Sequence, residues 1–305
     1  MAEPTFHPDL RAPQPLLRPA VGPRNLRAVR LLRRLTSLTL RSYGAVVVRI
    51  DTDVPVRVYL PASGRRPAPG LLWIHGGGYV VGAAAMDDDL CRELADRLGA
   101  VVASVDYRLA PEHPFPTPLE DCYSGLRWLA RRPDVDPARI AIAGASAGGG
   151  LAAALALLAK ERGEVEPVFQ VLSYPMLDDR TTERDDIDPR RLRLWNQKSN
   201  RFGWRAYLGP AAAGDVPPLA APARYEDLAG LPPAWLGVGT NDLFYDEDVA
   251  YATRLQEAGV PCTLHVVPGA YHAFDRLEAT AGIAREFRQA QVAALDGALN
   301  NSTLP

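Results

Sequence analysis

From residue 45 onward the chain alternates short, β-branched apolar runs with longer amphipathic stretches. The runs predict strands over 45–50, 54–60, 70–75, 100–106, 139–143, 168–173, 234–239 and 262–267. The stretches between them predict helices over 86–98, 118–131, 147–162, 246–258 and 280–298. The first two strands lie close enough in sequence for an antiparallel pair. After them strand and helix alternate, which calls for a parallel sheet with right-handed crossovers. Leu71-Leu72-Trp73-Ile74 and Ile140-Ala141-Ile142-Ala143 are continuously apolar, as strands covered on both faces must be. The expected class is therefore α/β, with a mostly parallel eight-stranded sheet and helices on both of its faces.

Two segments stand outside this rhythm. Residues 1–23 are proline-rich and aperiodic, which suits an extended arm. Residues 24–41 place Leu26, Val29, Leu32, Leu35 and Leu38 at helical steps, among Arg24, Arg27, Arg30, Arg33, Arg34 and Arg41. A membrane-surface helix and a helix docked on the domain with a solvated basic face both fit that pattern. The shortage of bulky anchors favours the docked helix. The second segment separates strand 168–173 from strand 234–239. It runs through an acid-rich stretch at 178–188, a helical stretch near 190–208 and a proline-rich return at 210–233. Its position suits an insertion over one edge of the sheet.

Composition narrows the classes of function. Apolar residues make up 47% and charged residues 23% of the 305, an ordinary globular balance that argues against disorder. A net charge of −2 gives no bulk electrostatic reason to bind nucleic acid. Cys91, Cys122 and Cys262 are odd in number and widely spaced, so they suggest neither a disulfide framework nor a metal site. No apolar run is long enough to span a bilayer, and the N-terminal stretch lacks the apolar core of a secretion signal. The expected location is the reducing cytoplasm, without membrane insertion.

Candidate chemistry begins at Gly144-Ala145-Ser146-Ala147-Gly148-Gly149, which fits G-x-S-x-G where a strand ends and a helix begins. Such a turn needs small neighbours, and it lifts a serine hydroxyl above the sheet edge. The competing reading is a small-residue turn with no chemistry. His75-Gly76-Gly77-Gly78 follows strand 70–75. A glycine run there can aim several backbone N–H groups into one space, as an acyl-transfer oxyanion requires, and Ala147 adds another at a helix start. A phosphate loop would have a different spacing and a lysine.

A serine nucleophile needs a base, and the base an orienting acid. Of five histidines, His7 lies in the arm, His75 in the glycine loop, His113 in a proline-rich loop and His265 inside a strand. His272 follows the last strand, in the loop that starts at Pro268, and alone suits a Ser–acid–His chain order. Asp242 is the first acid beyond strand 234–239, whereas Asp246 and Asp248 suit the start of the next helix.

Together these motifs resemble the hormone-sensitive-lipase family of α/β-hydrolases, the bacterial family IV carboxylesterases. The resemblance covers nearly the whole chain and includes the stretch Asp106-Tyr107-Arg108-Leu109-Ala110-Pro111-Glu112-His113-Pro114-Phe115-Pro116. It implies an α/β-hydrolase fold and a serine carboxylester hydrolase with a catalytic set of Ser146, Asp242 and His272. It implies oxyanion N–H groups from Gly77, Gly78 and Ala147, with His75 and Gly76 bracing their loop. It also implies a helical cap made of residues 1–43 and 178–215, over a core formed by 44–177 and 216–305. Two positions depart from the family pattern: Ala145 precedes the serine where an acid is common, and Leu243-Phe244 follow Asp242 where Pro-Leu is usual. The expected substrate is a small-molecule ester with a short to medium acyl chain, since a cap over the site leaves a closed apolar pocket. Tyr79, Trp195, Trp204 and Phe244 are the expected pocket walls. No cofactor, metal or nucleic-acid partner is expected, and a homodimer is left open. Amide hydrolysis by the same residues, and a non-catalytic receptor on the same fold, are the rival readings.

Overall fold

The computed structural model describes residues 5–11, 20–39, 44–50, 52–64 and 66–300. Positions 1–4, 12–19 and 40–43 of the predicted arm and helix lie outside the described residues, as do the side chains of Leu35, Leu38, Arg33, Arg34 and Arg41. Eight strands form one sheet: β1 Val46–Arg49, β2 Pro55–Tyr59, β3 Ala68–Ile74, β4 Val101–Val105, β5 Val135–Ala145, β6 Phe169–Ser173, β7 Ala234–Asn241 and β8 Cys262–Tyr271. Their spatial order is β1-β2-β4-β3-β5-β6-β7-β8. β2 runs antiparallel to β1 and β4, and the remaining pairs are parallel. Every residue of β3, β4 and β6 is buried, so both faces of the central sheet are covered and a continuously apolar run is needed there.

The helices are α1 Leu26–Thr39, α2 Asp88–Leu98, α3 Thr117–Ala130, α4 Ala147–Arg162, α5 Gln197–Leu208, α6 Tyr245–Glu257, α7 Phe274–Leu277 and α8 Gly282–Asn300. α2 packs against α8 and α3 against α4. The first turn of α4 holds Gly148-Gly149-Gly150, a poor helical start by propensity. Close approach explains it: a Cβ on Gly148 would sit 2.1 Å from the Ile74 carbonyl oxygen, and one on Gly144 would sit 2.2 Å from that of Gly148. The glycines let α4 start against the ends of β3 and β5.

Two boundaries differ from expectation in ways that bear on the site. β8 runs to Tyr271, because Asn241 and Tyr271 pair again beyond the irregularity after Gly239. The stretch 268–271 is thus strand and not loop, and His272 sits directly at a strand end. α5 begins only at Gln197, where the Asn196 side chain accepts a 3.0 Å hydrogen bond from the Ser199 N–H and caps the helix. The solvated basic face expected of α1 is also corrected at Arg30. That side chain donates to the carbonyls of Val80 (2.7 Å) and Ala110 (2.6 Å) and pairs with Glu112, so it pins α1 to the core. Leu31 and Leu32 of α1 are exposed. No helix among the described residues is long and apolar enough to cross a membrane.

Candidate active site

Four connections meet at the carboxyl ends of the parallel strands, where open α/β sheets place their sites. β5 delivers Ser146, β7 delivers Asp242, β8 delivers His272 and β3 delivers the glycine loop. Ser146 sits between strand and helix at φ 59° and ψ −124°. Such a left-handed conformation is costly for a residue with a Cβ and persists only where the surroundings impose it. Here the Ser146 N–H donates to the Ser173 carbonyl (2.9 Å), and its own carbonyl accepts from the N–H groups of Gly150 and Met176 (both 3.0 Å). A Cβ on Gly76 would press on the Ser146 Cβ at 3.2 Å, so the glycine loop lies against the serine.

The Ser146 hydroxyl oxygen is 2.9 Å from His272 Nε2, and His272 Nδ1 is 2.8 Å from Asp242 Oδ2. The other Asp242 oxygen accepts from the Phe244 N–H at 3.0 Å. Serine, histidine and aspartate are all buried. The imidazole is held edge-on between Tyr174 and Phe244, at ring distances of 4.9 and 5.3 Å. His7 and His113 do not join this chain. His265 packs against Trp235 and Phe287 within β8, and burial lowers its pKa.

The glycine loop is built by close contacts. The Gly77 carbonyl accepts from the N–H groups of Val80 and Val81, and Gly77 and Gly78 adopt φ 127° and 57°. A Cβ on Gly78 would collide with the Trp195 ring at 2.1 Å, so that indole lies directly over the loop. The N–H of Ala147 opens α4, where the helix dipole favours negative charge. His75 is buried, stacked on Tyr107 at 4.3 Å, with Nδ1 2.8 Å from the Gly76 carbonyl.

Ser146 and His272 open into a cavity of about 810 Å³. Gly76, Gly77, Gly78 and Trp195 line it, together with Val29 and Leu32 of α1. The other three expected wall residues are placed elsewhere, which corrects the sequence reading. Tyr79 turns away to donate to the Met176 carbonyl (3.0 Å) and stacks on Tyr207 at 3.9 Å. Trp204 packs on that same pair. Phe244 is fully buried behind His272. Sequence reasoning also missed the cavity's polar lining residues Asp87, Asp275, Arg276 and Gln291. Asp87 precedes α2, Asp275 and Arg276 lie on α7 and Gln291 on α8, and they share no motif.

Behind the acid lies an unusual group. Asp248 on α6 is fully buried, and among the described residues neither of its carboxyl oxygens has a hydrogen-bond partner. Burial, then the nearby Glu247 and Asp242, push its pKa well above the usual carboxylate range. Glu247 is likewise pushed up, to about 8, chiefly by burial. A folded-state pKa above the unfolded one favours folding fully below the unfolded value, near 4, and loses that contribution as pH rises through the folded value. Asp248→Asn is therefore expected to leave stability little changed at pH 4. It is expected to stabilise the fold increasingly toward alkaline pH, by about 1–3 kcal/mol at most. Melting temperatures of both proteins across that range check this; a difference that shrinks with rising pH contradicts it.

With this geometry in place, the likenesses to known proteins are informative. A family model described as alpha/beta hydrolase fold matches residues 71–276, about two thirds of the chain. The chain belongs to the α/β-hydrolase family. Within it, the motifs around His75, Ser146, Asp242 and His272 place this hydrolase in the hormone-sensitive-lipase-like branch. It is 36% identical over 268 residues to Carboxylesterase NlhH of Mycobacterium tuberculosis, covering 82% of this chain and 80% of that one. It is 35% identical to the Ethyl acetate hydrolase of Pseudomonas putida, covering 76% and 75%. A structure described as Bacterial Heroin Esterase superposes with a TM-score of 0.87 at 37% identity, covering 97% of this hydrolase and 99% of that chain.

Proposed function

We propose that this hydrolase cleaves carboxylic esters by nucleophilic catalysis through Ser146. The observation that carries the reading is the buried hydrogen-bonded chain from Ser146 Oγ through His272 to Asp242, at 2.9 and 2.8 Å. The relatives named as esterases support the same bond type. Neutral His272 accepts the serine proton at Nε2 while Oγ attacks the ester carbonyl. Asp242 accepts the hydrogen bond from Nδ1–H, which fixes the tautomer and stabilises the imidazolium that forms. The N–H groups of Gly77, Gly78 and Ala147 receive the oxyanion, in a space that Trp195 helps to close. His272 then protonates the leaving alcohol. Water, activated by the same imidazole, hydrolyses the acyl-enzyme.

We read residues 1–43 and 178–215 as a cap. Val29, Leu32 and Trp195 line the cavity from those segments, and Arg30 fastens the first of them. Such a closed space favours short- to medium-chain acyl groups. Each methylene that fits contributes up to about 0.8 kcal/mol of burial, and longer chains stay outside. A fluorophosphonate probe followed by peptide mapping tests the function. Stoichiometric modification of Ser146, with faster turnover of dispersed butyrate than palmitate esters, is expected. Absence of labelling removes the nucleophile assignment, and a rate that climbs steadily to palmitate removes the closed pocket.

A further inference from the structure

The cavity is not apolar throughout. Asp275, which lines it, is 2% exposed and lies three residues beyond His272 on α7. One of its carboxyl oxygens accepts the Tyr174 hydroxyl at 2.7 Å. No side chain among the described residues hydrogen-bonds the other oxygen, and Asp275 lines the cavity. Gln291 of α8 lines the same cavity: its amide N–H₂ donates to the Ser173 hydroxyl at 3.0 Å, and among the described residues nothing donates to its carbonyl oxygen. Ser173 pairs with Ala145 across β6 and β5, so this polar wall begins one strand away from the nucleophile. Burial raises the Asp275 carboxyl above its ordinary range, against the opposing pull of Arg276, the Tyr174 hydrogen bond and Arg288.

Charge selects what this wall receives. One nearby cation, Arg276, is already paired with Asp87 at 2.9 Å and Asp89 at 3.3 Å, and the Trp73 indole N–H donates to the other Asp87 oxygen at 2.8 Å. Arg288 also acts on Asp275 and donates to its backbone carbonyl at 3.3 Å, so two guanidiniums stand against the three carboxylates of Asp87, Asp89 and Asp275. The unsatisfied atoms of Asp275 and Gln291 are both acceptors. A buried acceptor left without a donor costs free energy, and a ligand that brings the donor recovers it.

We infer that Asp275 and Gln291 form a specificity subsite for a hydrogen-bond donor on the substrate, so that the preferred esters carry a hydroxyl or protonated amino group remote from the reacting carbonyl. This rests on the ester-hydrolase reading and adds the class of ester. A methyl group at the same place leaves the acceptors unpaired. A carboxylate meets like charge.

The test compares kcat/KM of the wild-type enzyme for two matched series. One consists of aryl esters of hexanoate-length acids ending in methyl, hydroxyl, ammonium or carboxylate. The other consists of butyrate esters of alcohols with those four ends. In at least one series the hydroxyl or ammonium ester is expected to exceed its methyl counterpart by about tenfold, with the carboxylate ester slowest. Asp275→Asn keeps an acceptor for Tyr174 and is expected to reduce the ammonium-to-methyl ratio about tenfold while sparing the hydroxyl-to-methyl ratio. Asp275→Leu is expected to reduce both. The wild-type comparison stands even if the leucine variant does not fold. Methyl-ended esters that match or beat donor-ended ones in both series overturn the subsite and leave ester hydrolysis intact, as do ratios unmoved by Asp275→Asn and Asp275→Leu together. Failure to turn over any ester, plain hexanoate included, overturns both readings.

Discussion

Ser146→Ala is expected to lower kcat by about 10⁴-fold or more while the protein stays folded. The size of the effect follows from the chain of contacts. Without the hydroxyl no acyl-enzyme forms, and the rate left over comes only from oxyanion stabilisation and binding, with water as nucleophile. The expectation of an intact fold follows from the backbone. The strained φ of 59° is held by the Ser146 N–H on Ser173 and by two N–H groups on the Ser146 carbonyl, none of which involves the side chain. Alanine keeps the Cβ that already fits against Gly76, so it adds no new clash. The measurement is steady-state hydrolysis of a butyrate ester alongside thermal unfolding. Near-wild-type turnover by a folded variant removes Ser146 from the mechanism, whereas a large fall in melting temperature shifts the explanation to the elbow itself.

The sheet was legible because its strands are short apolar runs separated by helical ones, and all eight predicted strands are present. The elements of the site were legible for a related reason. Each is a local motif that a strand end imposes: glycines where Gly144 and Gly148 touch backbone, and a serine at a turn only small neighbours permit. What escaped was everything fixed by packing between distant segments. Tyr79 follows the glycine loop in sequence, yet its hydroxyl finds the Met176 carbonyl and its ring finds Tyr207, so it leaves the cavity. Arg30 reads as one of a row of solvated arginines, but two carbonyls, of Val80 and Ala110, draw it inward. Asp275, Arg276 and Gln291 reach the cavity from α7 and α8, and no spacing between them encodes that. His272 is the only histidine in the right chain order; that it closes a strand instead of lying in a loop depends on the Asn241–Tyr271 pairing, a long-range contact.

Asp242→Asn is expected to cost about 10²–10⁴ in kcat, and Asp246→Asn far less. With its carbonyl oxygen toward Phe244, an amide at position 242 still accepts the 3.0 Å hydrogen bond from that N–H and leaves the loop after β7 in place. The atom now facing His272 Nδ1 decides the outcome. If it is the amide N–H₂, it favours the tautomer with Nδ1 unprotonated and Nε2–H pointing at Ser146, which cannot accept the serine proton. If it is the amide carbonyl, the tautomer survives, but the N–H₂ then faces the Phe244 N–H and the imidazolium formed during attack loses a buried negative charge 2.8 Å away. Either way the loss falls on the transition state, so kcat is expected to drop with KM little changed. Asp246 is a control of the same residue type on the same connection: it is exposed and paired with Arg184, so its amide variant removes only a surface ion pair, worth about 0–1 kcal/mol. Labelling by a fluorophosphonate is expected to slow in parallel with kcat in the Asp242 variant, since phosphonylation of Ser146 needs the same base. Greater sensitivity at Asp246 than at Asp242 would move the orienting acid one helical turn along the chain and leave the buried contact with His272 without a catalytic role.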